Sequence, residues 1–225
     1  MRKSKTLAKI RNGEWVLSTA VAVGGSRIAE LAGYVGFDCL WLDMEHSAIG
    51  IENAVLHCDS MPEAGLDEEA VYARNLEMLR LLCEKTAHLN IRICLENLTN
   101  DLDHSGLILE LIDKGGSDHL GVCLDTGHLN LRPGESQYDF IKNCGSRLKA
   151  LHIADNEGQT DQHMMPYGKG RVNWNDVIKG LTEVGYTGLF NLEIPGEAHG
   201  PMEIKLAKLR YVREICEYMT GRTGL

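Results

Sequence analysis

Residues 119–131 read HLGVCLDTGHLNL, and this stretch decides the fold because an apolar run in it ends abruptly in an acid and a histidine. The run Leu120–Leu124 contains one glycine and otherwise only Leu, Val and Cys. Such a run predicts a strand buried on both faces, as in a parallel sheet. In a barrel of parallel strands, functional groups collect at the carboxyl ends of the strands. Asp125 and His128 are therefore candidate site residues.

Strand and helix patterns alternate along the rest of the chain. Apolar runs predict strands near residues 17, 41, 56, 93, 122, 150 and 191. This alternation predicts one α/β domain over residues 1–225, a TIM-barrel-like parallel (β/α) barrel. Seven strands leave an eight-stranded barrel incomplete by one unit, the third. Because exposed strand edges pair readily with another chain, we expect a homo-oligomer.

Composition narrows the class of protein. The chain has 225 residues, 44% of them hydrophobic, and its 32 acidic residues outnumber the 23 basic ones. An acidic balance argues against a nucleic-acid partner, and no apolar run is long enough to cross a membrane. The seven cysteines form no CxxC pair. We therefore expect reduced core thiols, a cytoplasmic location and no membrane association.

Four polar residues recur once per predicted strand end. Glu96, Asp125, His152 and Glu193 are separated by 29, 27 and 41 residues. An eight-unit barrel uses roughly 31 residues per unit, so the four side chains are expected at one height around the barrel mouth. Crowded carboxylates are unfavourable unless a cation neutralises them. The set predicts one divalent metal ion, and three oxygen donors with one nitrogen suit Mn, Mg, Co, Fe or Zn.

Four short strings, in this order and spacing, resemble the xylose-isomerase-like TIM-barrel superfamily of sugar isomerases, epimerases and endonuclease IV. The resemblance covers about residues 54–219, and the strings are ICLEN at 93–97, CLDTGH at 123–128, LKALHIADN at 148–156 and NLEIPGE at 191–197. It implies a metal-dependent enzyme acting on a small carbohydrate.

The resemblance also implies roles for individual residues. Glu96 and Glu193 would serve both as metal ligands and as the acid/base pair, with Asp125 and His152 completing the metal site. His128 and Asp155 match neighbouring positions and are expected to bind substrate. Further metal ligands are expected in the endonuclease branch, namely His128, Asp161 and His163.

The chemistry agrees with this set. Moving hydrogen between adjacent carbons of a hydroxy ketone needs a base for a weakly acidic C–H bond and stabilisation of the resulting enediolate. Carboxylates on either face of the substrate supply the base. A metal ion chelated by the substrate oxygens stabilises the enediolate. The sequence therefore predicts a metal-dependent isomerase or epimerase of a sugar or sugar acid.

The N-terminal segment follows another pattern. Residues 13–55, from GEWVLSTAV to IENAV, resemble the start of the HpcH/HpaI aldolases that act on 2-keto-3-deoxy sugar acids. The resemblance implies that His46 is an acid/base residue, with Asp43 and Glu45 beside it. The substrate-binding arginine and the metal ligands of those aldolases have no counterpart here. We thus divide the barrel into an aldolase-like segment at 1–55 and a sugar isomerase-like, metal-binding portion at 56–225.

Other interpretations stay open on the sequence alone. A lone Asp125 is more often a helix cap, and His152 could be a hydrogen-bonded core histidine. Asp161 and His163 lie in a polar loop, where solvated residues are expected. His57, at a predicted strand end, is a candidate for substrate or a second metal. The rival functions are an endonuclease IV-like phosphodiesterase, an aldolase or other lyase using His46, and a catalytically inactive fused barrel.

Overall fold

Seven strands and six α-helices have defined bounds in the computed structural model, which describes residues 8–9, 11–14, 16–21, 39–42, 53–56, 68–89, 92–99, 104–132, 134–194 and 200–221. The strands are β1 Val16–Val21, β2 Cys39–Leu42, β3 Asn53–Leu56, β4 Arg92–Glu96, β5 Leu120–Asp125, β6 Leu148–His152 and β7 Leu189–Leu192. The helices are α1 Glu68–Thr86, α2 Ser105–Gly115, α3 Thr126–Asn130, α4 Gln137–Cys144, α5 Trp174–Glu183 and α6 Met202–Met219, with 3₁₀ turns at Ala87–Leu89 and Gly145–Arg147.

All strand pairs are parallel and form two sheets, ordered β2-β1-β7 and β3-β4-β5-β6. A parallel bridge between Ile153 and Leu192 links the two sheets. The Ile153 amide donates to the Asn191 carbonyl at 2.8 Å, and the Glu193 amide donates to the Ile153 carbonyl at 3.0 Å. The strands therefore follow one another around an incomplete parallel (β/α) barrel.

The described strands leave one seam in the barrel. In the described part of the chain, β2 and β3 each pair on one side only and not with each other. The seam lies where the third unit of an eight-stranded barrel would stand, as the count of seven strands predicts. The parallel architecture is thus confirmed, and the barrel is partial.

Alternation along the strands separates the core from the site. Side chains such as Leu95, Leu124 and Phe190 belong to the buried apolar cluster shared with the helices, which contribute Ile108 and Leu181 among others. Because successive strand residues point to opposite faces, the residues between them face the barrel interior. Every candidate site residue on a strand belongs to this second set.

Helix ends show why these segments begin and stop where they do. Asn173 caps α5, because its side chain accepts a hydrogen bond from the Asp176 amide. Gly116 ends α2 in the left-handed conformation, with φ of 68°. The start of α2 has a cap from elsewhere, since the Ser105 amide donates to the Glu135 carboxylate at 2.8 Å. The short helix α3 was not predicted.

Several predicted features lie outside the described residues. They are the acids Asp43 and Glu45 and the histidines His46 and His57. Within the described part of the chain, no helix combines the length and apolar character needed to span a membrane.

Buried cysteines should react slowly with a thiol reagent in the folded protein. Burial raises the pKa of the thiol to about 11 in Cys94 and to about 12 in Cys123, Cys144 and Cys216. Since the thiolate is the reactive form, we expect these four to resist labelling at pH 8 and to react fully once the protein unfolds. Peptide mass mapping after labelling with and without denaturant measures this, and rapid native labelling of Cys123 would contradict the burial of its side chain.

Candidate metal centre

Four predicted ligands meet at the carboxyl ends of four strands. Glu96, Asp125 and His152 are the last residues of β4, β5 and β6, and Glu193 directly follows β7. The register places Asp125 beside His152. One donor atom from each of the four residues lies within 4.8 Å of the others. The structure thus brings together the set that strand spacing predicts, and we call it the first cluster.

His152 lies between two carboxylates of the first cluster. Its Nδ1 atom is 2.8 Å from Glu193 Oε2 and 3.1 Å from Glu96 Oε2. Glu96 and His152 are buried, at 2% and 4% exposure, whereas the Glu193 side chain is 27% exposed. Burial lowers the pKa of His152, but Cys123 and the carboxylates around it raise that pKa well above its usual value. The anionic surroundings therefore favour a positive charge at this point.

Asp125 carries the clearest sign of a missing partner. One carboxylate oxygen accepts the His128 amide at 2.7 Å, which makes Asp125 the N-cap of α3. The other oxygen, Oδ2, is buried and accepts no hydrogen bond from the residues described. Burial raises the pKa of this carboxyl to about 6. A buried carboxylate oxygen without a donor is costly, and a divalent cation would satisfy it.

The donor set fits a divalent metal. Three carboxylates and one imidazole suit Mn, Mg, Co, Fe or Zn, and the set does not select among them. Metal–ligand bonds to such donors are about 2.0–2.2 Å long, so small movements of side chains spaced within 4.8 Å allow one ion to contact all four. The first cluster could therefore hold one ion.

His128 lies beside the first cluster and reaches beyond it. Its Nδ1 atom is 2.9 Å from the Asn97 carbonyl oxygen and 3.3 Å from Glu96 Oε1, and its Nε2 atom is 3.2 Å from Asp161 Oδ2. Burial lowers the pKa of His128, but the bond to Glu96 and the charges of Asp125 and Asp161 raise it to about 10. His128 thus contacts the first cluster without being one of its four members.

His163 repeats this arrangement from a loop. Its Nδ1 atom is 2.9 Å from the Glu193 carbonyl oxygen, and its Nε2 atom is 2.9 Å from the same Asp161 oxygen. The residue has a φ of 47°, a left-handed conformation that is uncommon outside glycine. His128, Asp161 and His163 therefore form a second cluster of possible metal ligands, as predicted.

The second cluster has too few protons for its acceptors if both imidazoles are neutral. Each Nδ1 atom faces a main-chain carbonyl, which can only accept, so Nδ1 carries the proton. Each Nε2 lone pair then faces the Asp161 carboxylate. A proton or a metal ion between Nε2 and the carboxylate relieves the repulsion, and fixing of the opposite ring nitrogen by a carbonyl is typical of metal-bound histidine.

Asp155 has another task in the structure. One of its oxygens accepts the amides of Asn156 at 2.8 Å and Val172 at 3.0 Å, and the other accepts the indole N–H of Trp174 at 3.1 Å. Asp155 is 1% exposed, and the absence of a side chain at Gly170 leaves room for its carboxylate. It therefore anchors the loop after β6 to the start of α5. The predicted substrate contact of Asp155 stays a prediction.

Sequence reasoning missed Asn97, although the quoted string ICLEN contains it. Asn97 is fully buried, and its side chain forms two hydrogen bonds with the main chain of Asp125. An amide directly after an acid at a strand end was the available signal. The predicted roles of His46 and His57 lie outside the described residues and stay predictions.

A parallel (β/α) barrel with carboxylates and histidines gathered at the carboxyl ends of its strands is the class of protein that this fold and site define. The chain belongs to the family described as Xylose isomerase-like TIM barrel, which matches residues 21–216. The predicted superfamily is thereby confirmed, and the match begins nearer the N-terminus than residue 54. The aldolase-like character of residues 1–55 stays a prediction.

Curated relatives are similar over part of their length. The uncharacterized protein y4fM of Sinorhizobium fredii is 32% identical over 155 residues, which cover 66% of this chain and 49% of that protein. The D-psicose 3-epimerase of Enterocloster bolteae is 27% identical over 134 residues, covering 56% of this chain and 41% of the enzyme. The chain thus spans about half the length of the curated relatives it matches.

A solved structure agrees in fold. The D-psicose 3-epimerase of Clostridium cellulolyticum H10, crystallised with D-tagatose, has a TM-score of 0.61 and 15% identity. The alignment covers 96% of this chain and 82% of that structure. The likeness confirms the TIM-barrel fold.

The anchoring role of Asp155 can be tested through stability. We expect Asp155→Ala to lower the free energy of unfolding by at least about 2 kcal/mol, because each buried donor left without a partner costs about 1–3 kcal/mol. Chemical unfolding followed by circular dichroism measures the change. Asp118→Ala, in an exposed turn, is the matched control and should stay within about 0.5 kcal/mol of wild type. Equal decreases in the free energy of unfolding for the two variants would show that Asp155 has no anchoring role.

Proposed function

We propose that the protein is a divalent-metal-dependent isomerase or epimerase that acts on a sugar or sugar acid through an enediolate. The observation that carries the proposal is the first cluster, in which Glu96, Asp125, His152 and Glu193 offer donor atoms within 4.8 Å of one another. The similarity to an enzyme named D-psicose 3-epimerase supports a carbohydrate substrate.

The first cluster would hold the metal ion at the barrel mouth. A bound divalent ion would act as a Lewis acid for two neighbouring substrate oxygens. The chain itself supplies the shape and charge of the site: buried Glu96 and Asp125 lie at its base, and the partly exposed Glu193 faces the opening. His128 and Asp155, which follow β5 and β6 in the chain, are the proposed substrate contacts.

Glu193 and Glu96 are the proposed acid/base pair. One carboxylate would remove the proton from the substrate carbon and the other would return a proton to the opposite face. Glu193 is the residue proposed to contact substrate directly, because its side chain is 27% exposed against 2% for Glu96. The Nδ1 atom of His152 lies within 3.1 Å of both carboxylates.

The remaining roles in the proposed function rest on the sequence alone. His46 is a third acid/base candidate and His57 a substrate contact, both from the N-terminal part of the chain. The protein is proposed to act in the cytoplasm as a homo-oligomer, with one barrel domain over residues 1–225.

Metal content and proton exchange test the proposal together. We expect purified wild-type protein to retain about one divalent ion and to exchange deuterium from solvent into at least one of a panel of ketoses and keto sugar acids. Glu193→Gln should lower the exchange rate at saturating metal by at least about 10²-fold, because it removes a general acid/base. Mass spectrometry of the sugars and elemental analysis of the protein measure both properties.

The control for this experiment is Glu183→Gln. Glu183 lies at the end of α5, where it pairs with Lys142 at 3.2 Å, and its substitution should change neither property. Wild-type protein that holds no divalent metal under any condition would sink the proposal. Metal binding without exchange into any sugar would instead favour a lyase or a binding protein.

An endonuclease IV-like phosphodiesterase is the second candidate, favoured by the convergence of His128 and His163 on Asp161. A net charge of −9 opposes binding to DNA. If this candidate is correct, wild-type protein nicks an abasic duplex, and His163→Ala reduces both nicking and metal stoichiometry while the exposed His88→Ala reduces neither. Gel assays and elemental analysis measure these outcomes, and full activity of His163→Ala would count against a multinuclear site.

A further inference from the structure

We propose that Asn97 is the positioning residue that locks the ends of β4 and β5 together and thereby sets the geometry of the first cluster. The inference rests on the proposed function, because it concerns the same metal ligands. Asn97 directly follows Glu96 and is fully buried, with 0% exposure.

The Asn97 side chain continues the ladder beyond its last strand pair. The final pair between β4 and β5 joins Glu96 to Cys123, so Asp125 lies two residues past it. There the Asn97 side-chain amide donates to the Asp125 carbonyl at 2.9 Å, and the Asp125 amide donates to Asn97 Oδ1 at 2.7 Å. The Asn97 side chain thus makes the two hydrogen bonds that the main chain of a longer β4 would make. Glu96 and Asp125 are thereby held at a fixed separation.

The main chain of Asn97 links these two hydrogen bonds to the second cluster. Its carbonyl oxygen accepts from His128 Nδ1 at 2.9 Å, and this bond turns Nε2 toward Asp161 at 3.2 Å. One residue therefore orients an acid of the first cluster and a histidine of the second. Groups that hold ligands in this way typically change metal affinity by about 10–100-fold when they are removed.

The chemistry of this position requires an amide. The two Asp125 main-chain groups are one donor and one acceptor, and an asparagine side chain is short enough to match both. A leucine of similar volume matches neither, which would leave two buried polar groups without partners. Neither effect involves direct contact between Asn97 and a metal ion.

Cobalt binding to Asn97→Leu tests the inference. We expect Co²⁺ affinity, measured by calorimetry, to fall by about 10–100-fold, with a changed Co²⁺ absorption spectrum. Hydrogen exchange of the Asp125 amide in metal-free protein should become faster, because its acceptor is lost. Asn143→Ala is the matched control: Asn143 donates to Ser105 at 3.1 Å and to Glu135 at 2.8 Å, and none of these three residues belongs to either cluster.

The outcomes separate this inference from the proposed function. Wild-type protein that binds no Co²⁺ overturns the proposed function, and Asp125 exchange in Asn97→Leu then decides whether the lock exists. Unchanged exchange, or wild-type Co²⁺ affinity and spectrum in Asn97→Leu, overturns the inference. An equal loss of affinity in Asn143→Ala also overturns it, since the effect would be one of general stability. Asn97→Ser replaces the leucine variant if circular dichroism shows that the latter does not fold.

Discussion

The register of the parallel ladder between β5 and β6 is the constraint on which the site depends. It places Asp125 directly beside His152. The ladder is irregular, because Val122 pairs with Leu148 while Cys123 pairs with Ala150, so one residue of β6 is skipped. Since side chains alternate between the two faces, a slip of one residue would turn a ligand away from the barrel interior. Because of this irregularity, the apolar side chains pack on the outside of the barrel and the polar side chains converge in its interior.

Charge then determines what the converged side chains can do. Three carboxylates of the first cluster, two of them almost wholly buried, have His152 and His128 as their neighbouring imidazoles. Asp125 Oδ2 still has no hydrogen-bond donor among the residues described. A compact cation stabilises carboxylates in this situation more than additional neutral hydrogen-bond donors would. The buried network around them would keep the ligands in place before a cation arrives, which limits the reorganisation that binding requires.

The sequence predicts the convergence of the strand-borne candidate ligands, because an acid or histidine at the end of a short apolar run has few other places to lie. Glu96, Asp125 and His152 follow from this pattern. It does not predict contacts made by loops and side-chain amides. His163 reaches Asp161 only through a left-handed turn, and the buried bonds of Asn97 depend on where two strands end relative to each other. Such features are set by three-dimensional register, which periodicity in one chain segment does not encode.

The fourth candidate ligand shows how the partial barrel can still bring these side chains together. Glu193 directly follows β7 of the β2-β1-β7 sheet, whereas the other three candidate ligands end strands of the β3-β4-β5-β6 sheet. The two sheets meet at Ile153, whose carbonyl accepts the Glu193 amide at 3.0 Å. This junction lies immediately after His152 and on the side of the barrel away from the β2–β3 seam in the strand order. Because the candidate ligands come from four consecutive strands on the paired side, their convergence does not require the ring to close.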